Sequence, residues 1–143
     1  AVIKVGASSE VELKEKQDRV EDAMCATKAA IKEGIVPGGG IALLNASTYI
    51  KPSNDNEKVL LEAIKAPYLT ILNNAGLEVI YPKGKGKGIN VVTGKDVNMI
   101  KSGIIDPLLV TKSALKNAAS VATTILSTDC VINNLRVEDE SNR

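Results

Sequence analysis

The 143-residue chain has no histidine, phenylalanine or tryptophan, and it contains only two cysteines and three tyrosines. The absence of histidine excludes Ser/His and Cys/His catalysis and most zinc sites, so any proton transfer must use carboxylates or lysine. The two cysteines, Cys25 and Cys130, form neither a CxxC metal pair nor a disulfide framework. We therefore expect no metal site built from this chain and a reducing, cytoplasmic setting.

The aromatic content and the charge argue against nucleic acid and membrane partners. Proteins that bind single strands stack bases on aromatic side chains, and three scattered tyrosines are too few for this. The formal net charge is +1 with both signs interspersed, so no overall field attracts nucleic acid or an anionic membrane. No apolar run approaches the roughly 18 residues of a membrane helix. We expect no nucleic acid and no membrane partner.

The first third of the sequence predicts a long helix. Residues 2–5 are mostly β-branched and predict a short strand. Ser9 and Glu12 have the spacing of a capping box, and no Gly or Pro lies between Ser9 and Gly34, so one helix of about 24 residues is predicted. Its apolar stripe is narrow, so we interpret residues 1–33 as a peripheral arm that joins the main body at Gly34.

The middle of the sequence predicts two shorter helices and a hairpin. Residues 41–50 and 57–76 have helical patterns, and Pro67 marks a kink or a break in the second. Lys and Gly alternate over residues 83–88, which is typical of a mobile loop whose lysines are either solvated or in contact with phosphate. Residues 89–100 predict strand, turn and strand.

The last third predicts a helix that begins at Asp106 and Pro107, with Asp106 as its N-cap. This helix continues to about Leu126 and is apolar around most of its circumference, so we expect it at the centre of the core. Residues 129–134 predict a closing strand, and the charged residues 135–143 predict a disordered tail. The whole pattern predicts a mainly α fold, a helical body with a small β-hairpin and a long-helix arm.

Three features suit nucleotide chemistry, and each has a purely structural alternative. The glycines of 38–40 either let backbone approach a ligand or make a tight connection between helices. They form no P-loop, because Gly40 and Ile41 replace the Lys and Ser/Thr of that motif. Asp106 either caps its helix alone or also accepts from a ligand hydroxyl such as a ribose. Asp22, taken by itself, is one of several solvated carboxylates on a helix.

Five short motifs follow one another in a fixed order along the chain. They are Glu21-Asp22-Ala23, Gly34-Ile35-Val36-Pro37-Gly38-Gly39-Gly40, Gly88-Ile89-Asn90, Asn98-Met99-Ile100 and Gly103-Ile104-Ile105-Asp106-Pro107. This series resembles the C-terminal part of the group I chaperonins, the GroEL family, over residues 1 to about 134. Order and spacing together make the resemblance more specific than any single motif, and they favour the functional interpretation of the glycines and of both aspartates.

The resemblance implies a division of the chain into parts of two domains. Residues 1–33 correspond to the C-terminal half of the intermediate domain, and residues 34–134 to the C-terminal half of the equatorial ATP-binding domain, with 135–143 as a tail. The family's Gly-Asp-Gly-Thr-Thr phosphate and magnesium segment is absent from this sequence, as is the apical domain. The chain is therefore expected to be a fragment with the adenine and ribose side of the site, and to be inactive alone.

The resemblance also implies the ligand and the site residues. The ligand is ATP with Mg²⁺, and the matching nucleotide-binding positions are Gly38, Gly39, Asn90, Val91, Val92, Ile104 and Asp106. Gly39 matches the glycine beside the ribose, and Asp106 matches the carboxylate that holds the ribose hydroxyls. Asp22 matches the catalytic aspartate, which reaches the nucleotide when the intermediate domain closes. Ile89 and Val91 differ from the aromatic and small residues usual in the family, which implies an altered pocket wall.

The implied parent protein is an ATP-driven chaperone in which copies of one subunit form a ring. Its further partners are a co-chaperonin lid and unfolded client proteins, both bound through the apical domain that is absent here. The alternative is a free-standing helical module that docks a partner through its arm and binds no nucleotide. A Gly-Asp-Gly-Thr-Thr segment encoded upstream of Ala1 would decide between them. A small nucleotide-binding enzyme is disfavoured because the sequence has no phosphate cradle.

Overall fold

A computed structural model describes residues 2–133 and shows a mainly α protein, as predicted. The helices are α1 (Glu10–Glu33), α2 (Ile41–Tyr49), α3 (Asp55–Ala63), α4 (Ala66–Asn74) and α5 (Leu108–Leu126). The strands are β1 (Ile35–Pro37), β2 (Lys87–Asn90), β3 (Lys95–Asn98) and β4 (Ile105–Pro107), which pair antiparallel as β1 with β4 and β2 with β3. Across residues 2–133, no helix is long and apolar enough to cross a membrane.

Local signals set both ends of α1. The Ser9 side chain accepts a hydrogen bond from the Glu12 amide at 3.3 Å, and Gly34 ends the helix by donating its own amide to the Ala30 carbonyl. The predicted helix of about 24 residues is therefore confirmed. The strand predicted at residues 2–5 is wrong, because no other segment of the described chain pairs with it.

The core lies between α2, α4 and the β2–β3 hairpin. Its buried cluster consists of Ile41, Leu44, Tyr68, Leu72, Ile89 and Met99. Tyr68 enters this cluster with its hydroxyl satisfied, because the hydroxyl donates to the Ile80 carbonyl at 2.5 Å. Pro67 lies in the first turn of α4, where a backbone amide would have no partner within the helix. A new helix therefore begins there, and α3 and α4 are separate helices.

The helix predicted to lie at the centre of the core is instead at the surface. None of the α5 side chains is buried, and Leu126 is 85% exposed. A helix that is apolar all round needs neighbours on every side, whereas α5 packs chiefly against α1 and β4. An apolar groove of about 320 Å³ runs between α5 and the α2–α4 region, with Leu43, Pro67 and Leu115 in its lining.

Asp106 does not cap α5, which corrects the prediction. It belongs to β4, where it pairs with Val36, and the N-cap residue of α5 is Pro107, which makes no side-chain capping bond. Strand pairing holds Asp106 in extended backbone one residue ahead of the cap. The carboxylate is thus free of the helix end.

The hairpin is present but is shifted by two residues from its predicted register. Lys87 and Gly88 belong to β2, so the loop predicted over 83–88 ends at Gly86. A side-chain carbon on Gly88 would lie 2.7 Å from Cγ1 of Ile41, so glycine lets this strand press directly on the core. Residues 129–133 form no strand, and the predicted tail lies outside the described residues.

Gly40 and Gly76 allow a matched test of this packing, because both have positive φ, 76° and 68°. A side-chain carbon on Gly40 would lie 2.7 Å from the Tyr68 amide nitrogen, whereas one on Gly76 would have no non-adjacent atom of residues 2–133 within 4 Å. We predict that Gly76→Ala costs about 1 kcal/mol through backbone strain. Gly40→Ala should cost about 1–3 kcal/mol more through overpacking. Urea unfolding followed by circular dichroism measures both, and equal losses would contradict the close approach.

Candidate functional site

The turn after β1 packs its glycines against two other parts of the chain. The Gly38 amide donates to the Ile104 carbonyl at 2.9 Å, and a side chain on Gly38 would meet the Ile104 backbone at 3.1 Å. Gly40 packs against the backbone of Tyr68 in the same way. Both glycines are therefore required for tight packing, which is the structural alternative for this motif.

Gly39 differs from its two neighbours. Among residues 2–133, a side-chain carbon placed there would have one heavy atom of a non-adjacent residue within 4 Å, Cε of Met99 at 3.1 Å. Its other surroundings are open, so a ligand group can approach this backbone closely. Within the motif, Gly38 and Gly40 fix the turn by packing against neighbouring backbone, whereas the backbone of Gly39 is accessible to a ligand.

Asp106 faces the long helix. Its carboxyl group is half-buried and lines a cavity of about 160 Å³ together with Ala26, Thr27 and Ala30 of α1 and with neighbouring residues of β1 and β4. Burial raises the pKa of this carboxyl above its ordinary value. Within the part of the chain that the structure describes, the lining contains no lysine or arginine. The cavity thus suits a neutral ligand group that bears hydroxyls and offers no cradle for phosphate.

Asp22 lies outside this cavity but on the same face of α1. It precedes Ala26 by four residues, so the two side chains project from one face, about 6 Å apart along the axis. Asp22 is exposed. The structure therefore places it one turn beyond the cavity, on the side away from Gly34.

The other predicted site residues lie on the hairpin. The Asn90 Oδ1 accepts from the Val92 amide at 3.0 Å, and the Asn90 carbonyl accepts from Gly94 at 2.7 Å, so Asn90 holds the turn together. Val91 and Val92 are both exposed in that turn. Ile89, by contrast, is buried in the core, so its difference from the usual aromatic alters the core and not the exposed surface.

Met99 lies between these two groups of residues. Its Cε approaches Gly39 in the turn, and its Sδ would lie 2.9 Å from a side chain on Gly88 in the hairpin. Sequence reasoning missed Met99 as a site residue, although it quoted the Asn98-Met99-Ile100 motif. The signal available in the sequence was an apolar residue, Met99, at the end of the second strand of the hairpin. The structure thus brings Gly38 against Ile104 and places Asp106 on the strand paired with the segment that leads into the glycine turn, while Asn90, Val91 and Val92 lie together at the hairpin turn.

In the described part of the chain, no group of three or more His, Cys, Asp or Glu side chains is arranged to hold a metal ion. Cys25 and Cys130 are free and exposed.

Comparison with known proteins places this arrangement in a family. The model of the TCP-1/cpn60 chaperonin family matches residues 1–136. The chain belongs to the TCP-1/cpn60 chaperonin family. It is also similar to a structure described as the crystal structure of group III chaperonin in the open state, with a TM-score of 0.72 and 28% identity. That match covers 90% of this chain and 30% of the other, so the chain spans less than a third of that chaperonin.

The raised pKa of Asp106 gives this chaperonin chain a defined dependence of stability on pH. The native state holds the Asp106 proton more tightly than the unfolded chain does, so stability falls as pH rises from about 4, the ordinary carboxyl value. We predict that Asp106→Asn removes this loss and raises the urea midpoint at pH 7, with no difference near pH ~3. The exposed Asp96→Asn is the control. Parallel pH profiles for Asp106→Asn and the unaltered chain would contradict the assignment.

Proposed function

We propose that this chain forms the adenine and ribose side of the ATP site in a group I chaperonin subunit, and carries its hydrolytic aspartate. The observation that carries the proposal is the half-buried Asp106 in a cavity beneath α1, on the strand that pairs with the segment leading into the open Gly39 turn. The ordered motifs from Glu21 to Pro107 support assignment to group I.

The cavity suits ribose recognition. Ionised Asp106 has only acceptor positions, and its two oxygens can take hydrogen bonds from two neighbouring hydroxyls. Burial makes such hydrogen bonds stronger than they would be in water, while the open backbone at Gly39 allows the sugar to approach. The Gly38 amide already donates to the Ile104 carbonyl, so these two residues form a rigid wall on the ribose side.

The hairpin suits recognition of the base. The Asn90 Oδ1 is engaged by Val92, so the amide NH₂ group is the part of Asn90 that is left to donate to a ring nitrogen. The exposed side chains of Val91 and Val92 offer an apolar surface to the flat face of adenine.

Hydrolysis requires Asp22 to move. Asp22 precedes Gly34 by twelve residues, about 18 Å along the helix, so a rotation of half a radian at Gly34 moves it roughly 9 Å. In the closed position its carboxylate orients or deprotonates the attacking water. The Glu33–Lys112 ion pair, at 2.7 Å, ties α1 to α5 beside this joint and opposes the rotation. Mg²⁺ bound with ATP would neutralise phosphate charge, and its protein ligands would lie mostly outside this chain.

The partners follow from the same proposal. The complete subunit forms a ring with copies of itself in the cytoplasm, and binds a co-chaperonin lid and unfolded clients through an apical domain. The exposed apolar surface of α5 and its groove support a chain that packs within a larger subunit. Membership of the chaperonin family favours this over the free-standing interaction module.

The half-site predicts that this chain alone does not hydrolyse ATP. Neither the cavity lining nor the sequence provides the phosphate cradle on which phosphoryl transfer depends. Phosphate release in the presence of Mg²⁺ should equal that of buffer, and calorimetry should show weak binding or none. Magnesium-dependent turnover that copurifies with the chain through two independent preparations would overturn the half-site proposal.

In the complete subunit, Asp22→Asn and Asp106→Asn should fail in different ways. Asp106 contacts the ribose throughout the cycle, so its loss should weaken equilibrium binding of ATP about tenfold. Asp22 acts only on the attacking water, so its loss should lower single-turnover hydrolysis by about 10²-fold or more while affinity stays nearly unchanged. Asp18→Asn, on the same helix, is the matched control for loss of one charge.

The two aspartate variants also test whether the roles have been assigned correctly. Equal binding defects in Asp22→Asn and Asp106→Asn would remove the distinction between a hydrolytic and a ribose-binding carboxylate. Normal hydrolysis in Asp22→Asn would remove Asp22 from the mechanism altogether.

A further inference from the structure

Met99 is buried beside the candidate site, with only 2% of its surface exposed. It follows β3 directly, and its side chain extends from the hairpin toward the glycine turn. The thioether end approaches Gly39, and the sulfur lies against Gly88. One side chain therefore packs against both the glycine turn and the hairpin, which carry the two halves of the proposed pocket.

Backbone hydrogen bonds join the same two halves through Met99. Its amide donates to the Gly86 carbonyl at 3.0 Å, at the base of the hairpin. Its carbonyl accepts from the Ile104 amide at 2.9 Å, and the Ile104 carbonyl accepts from the Gly38 amide at 2.9 Å. The hairpin and the glycine turn are thus connected by three successive hydrogen bonds with Met99 in the middle.

We propose that Met99 is a positioning residue that sets the distance between the ribose side and the adenine side of the pocket. This inference rests on the proposed nucleotide site. Met99 acts through Gly39, because its Cε lies next to the space where a Gly39 side chain would be, with no other non-adjacent residue of the described chain that close. Removing that methyl group lets the turn settle toward the core and widens the pocket at the ribose.

The structural and positioning roles of Met99 can be separated by two variants. Met99→Leu conserves most of the volume but lacks the terminal methyl beneath Gly39, so it should leave the urea midpoint nearly unchanged. Leu72→Ala opens a cavity in the same core, where Leu72 is fully buried, and should lower the midpoint strongly. Leu72 has no assigned role at the site, so it is the matched control for lost packing.

The readout is discrimination at the ribose by the complete subunit. Equilibrium titration compares ATP with 2′-O-methyl-ATP, whose added methyl group requires a wider pocket. In Met99→Leu the preference for ATP should fall by roughly tenfold, since one methyl group in a fitted pocket is worth that much. In Leu72→Ala the preference should stay that of the unaltered subunit. An unchanged preference in Met99→Leu, or an equal change in both variants, overturns the inference.

The contact itself can be tested in the present chain without any nucleotide. Gly39→Ala places a carbon 3.1 Å from the Met99 Cε, and Met99→Leu removes that atom, so the double variant should be more stable than the two single changes predict. Gly76→Ala combined with Met99→Leu should be additive, because Gly76 has open surroundings. Additivity in both cycles overturns the inference. If the unaltered subunit binds neither nucleotide, the proposed function is wrong and this inference falls with it.

Discussion

The close approach of the glycine turn to the backbone that follows the hairpin is the contact on which the rest of the body depends. Gly38 pairs with Ile104, Ile104 pairs with Met99, and Met99 pairs with Gly86. The Gly38–Ile104 bond joins residues far apart in sequence, and each of the other two closes a loop. A side chain at Gly38 would push Ile104 away, so the absence of a side chain is what permits the whole arrangement.

A second constraint concerns the arm. Helix α1 lies on β4 with the small side chains of Ala26 and Ala30 toward Asp106, and its end is tied to α5 by the Glu33–Lys112 pair. Because these side chains are small, the helix comes near enough to desolvate the Asp106 carboxylate. The described lining of the cavity has no positive side chain to pair with that carboxylate. The same packing places Asp22 on the helix face that overlies the cavity. The packing of α1 on β4 therefore sets both the position of the arm and the hydration of Asp106.

The sequence predicted a good part of this chain and missed the rest for identifiable reasons. The ends of α1, the break at Pro67 and the presence of a hairpin were all correct, because capping, proline geometry and turns involve residues close in sequence. The register of the hairpin was wrong because Gly88 fits against Ile41, a residue in a different element. The grouping of Gly38 with Ile104 could be anticipated only from the family resemblance, and Met99 was not anticipated as the link between the glycine turn and the hairpin.

By itself, the sequence determined the two ends of α1, which local capping decides, and the chaperonin family to which the chain belongs. Tertiary structure alone decided that Asp106 lies in a strand, because its partner Val36 is far away along the chain. It also decided that α5 is exposed, since burial depends on which neighbours are present and not on how apolar a helix is. Finally, it distinguished three glycines that look alike in sequence: Gly38 and Gly40 pack against backbone, whereas Gly39 meets the flexible end of the Met99 side chain.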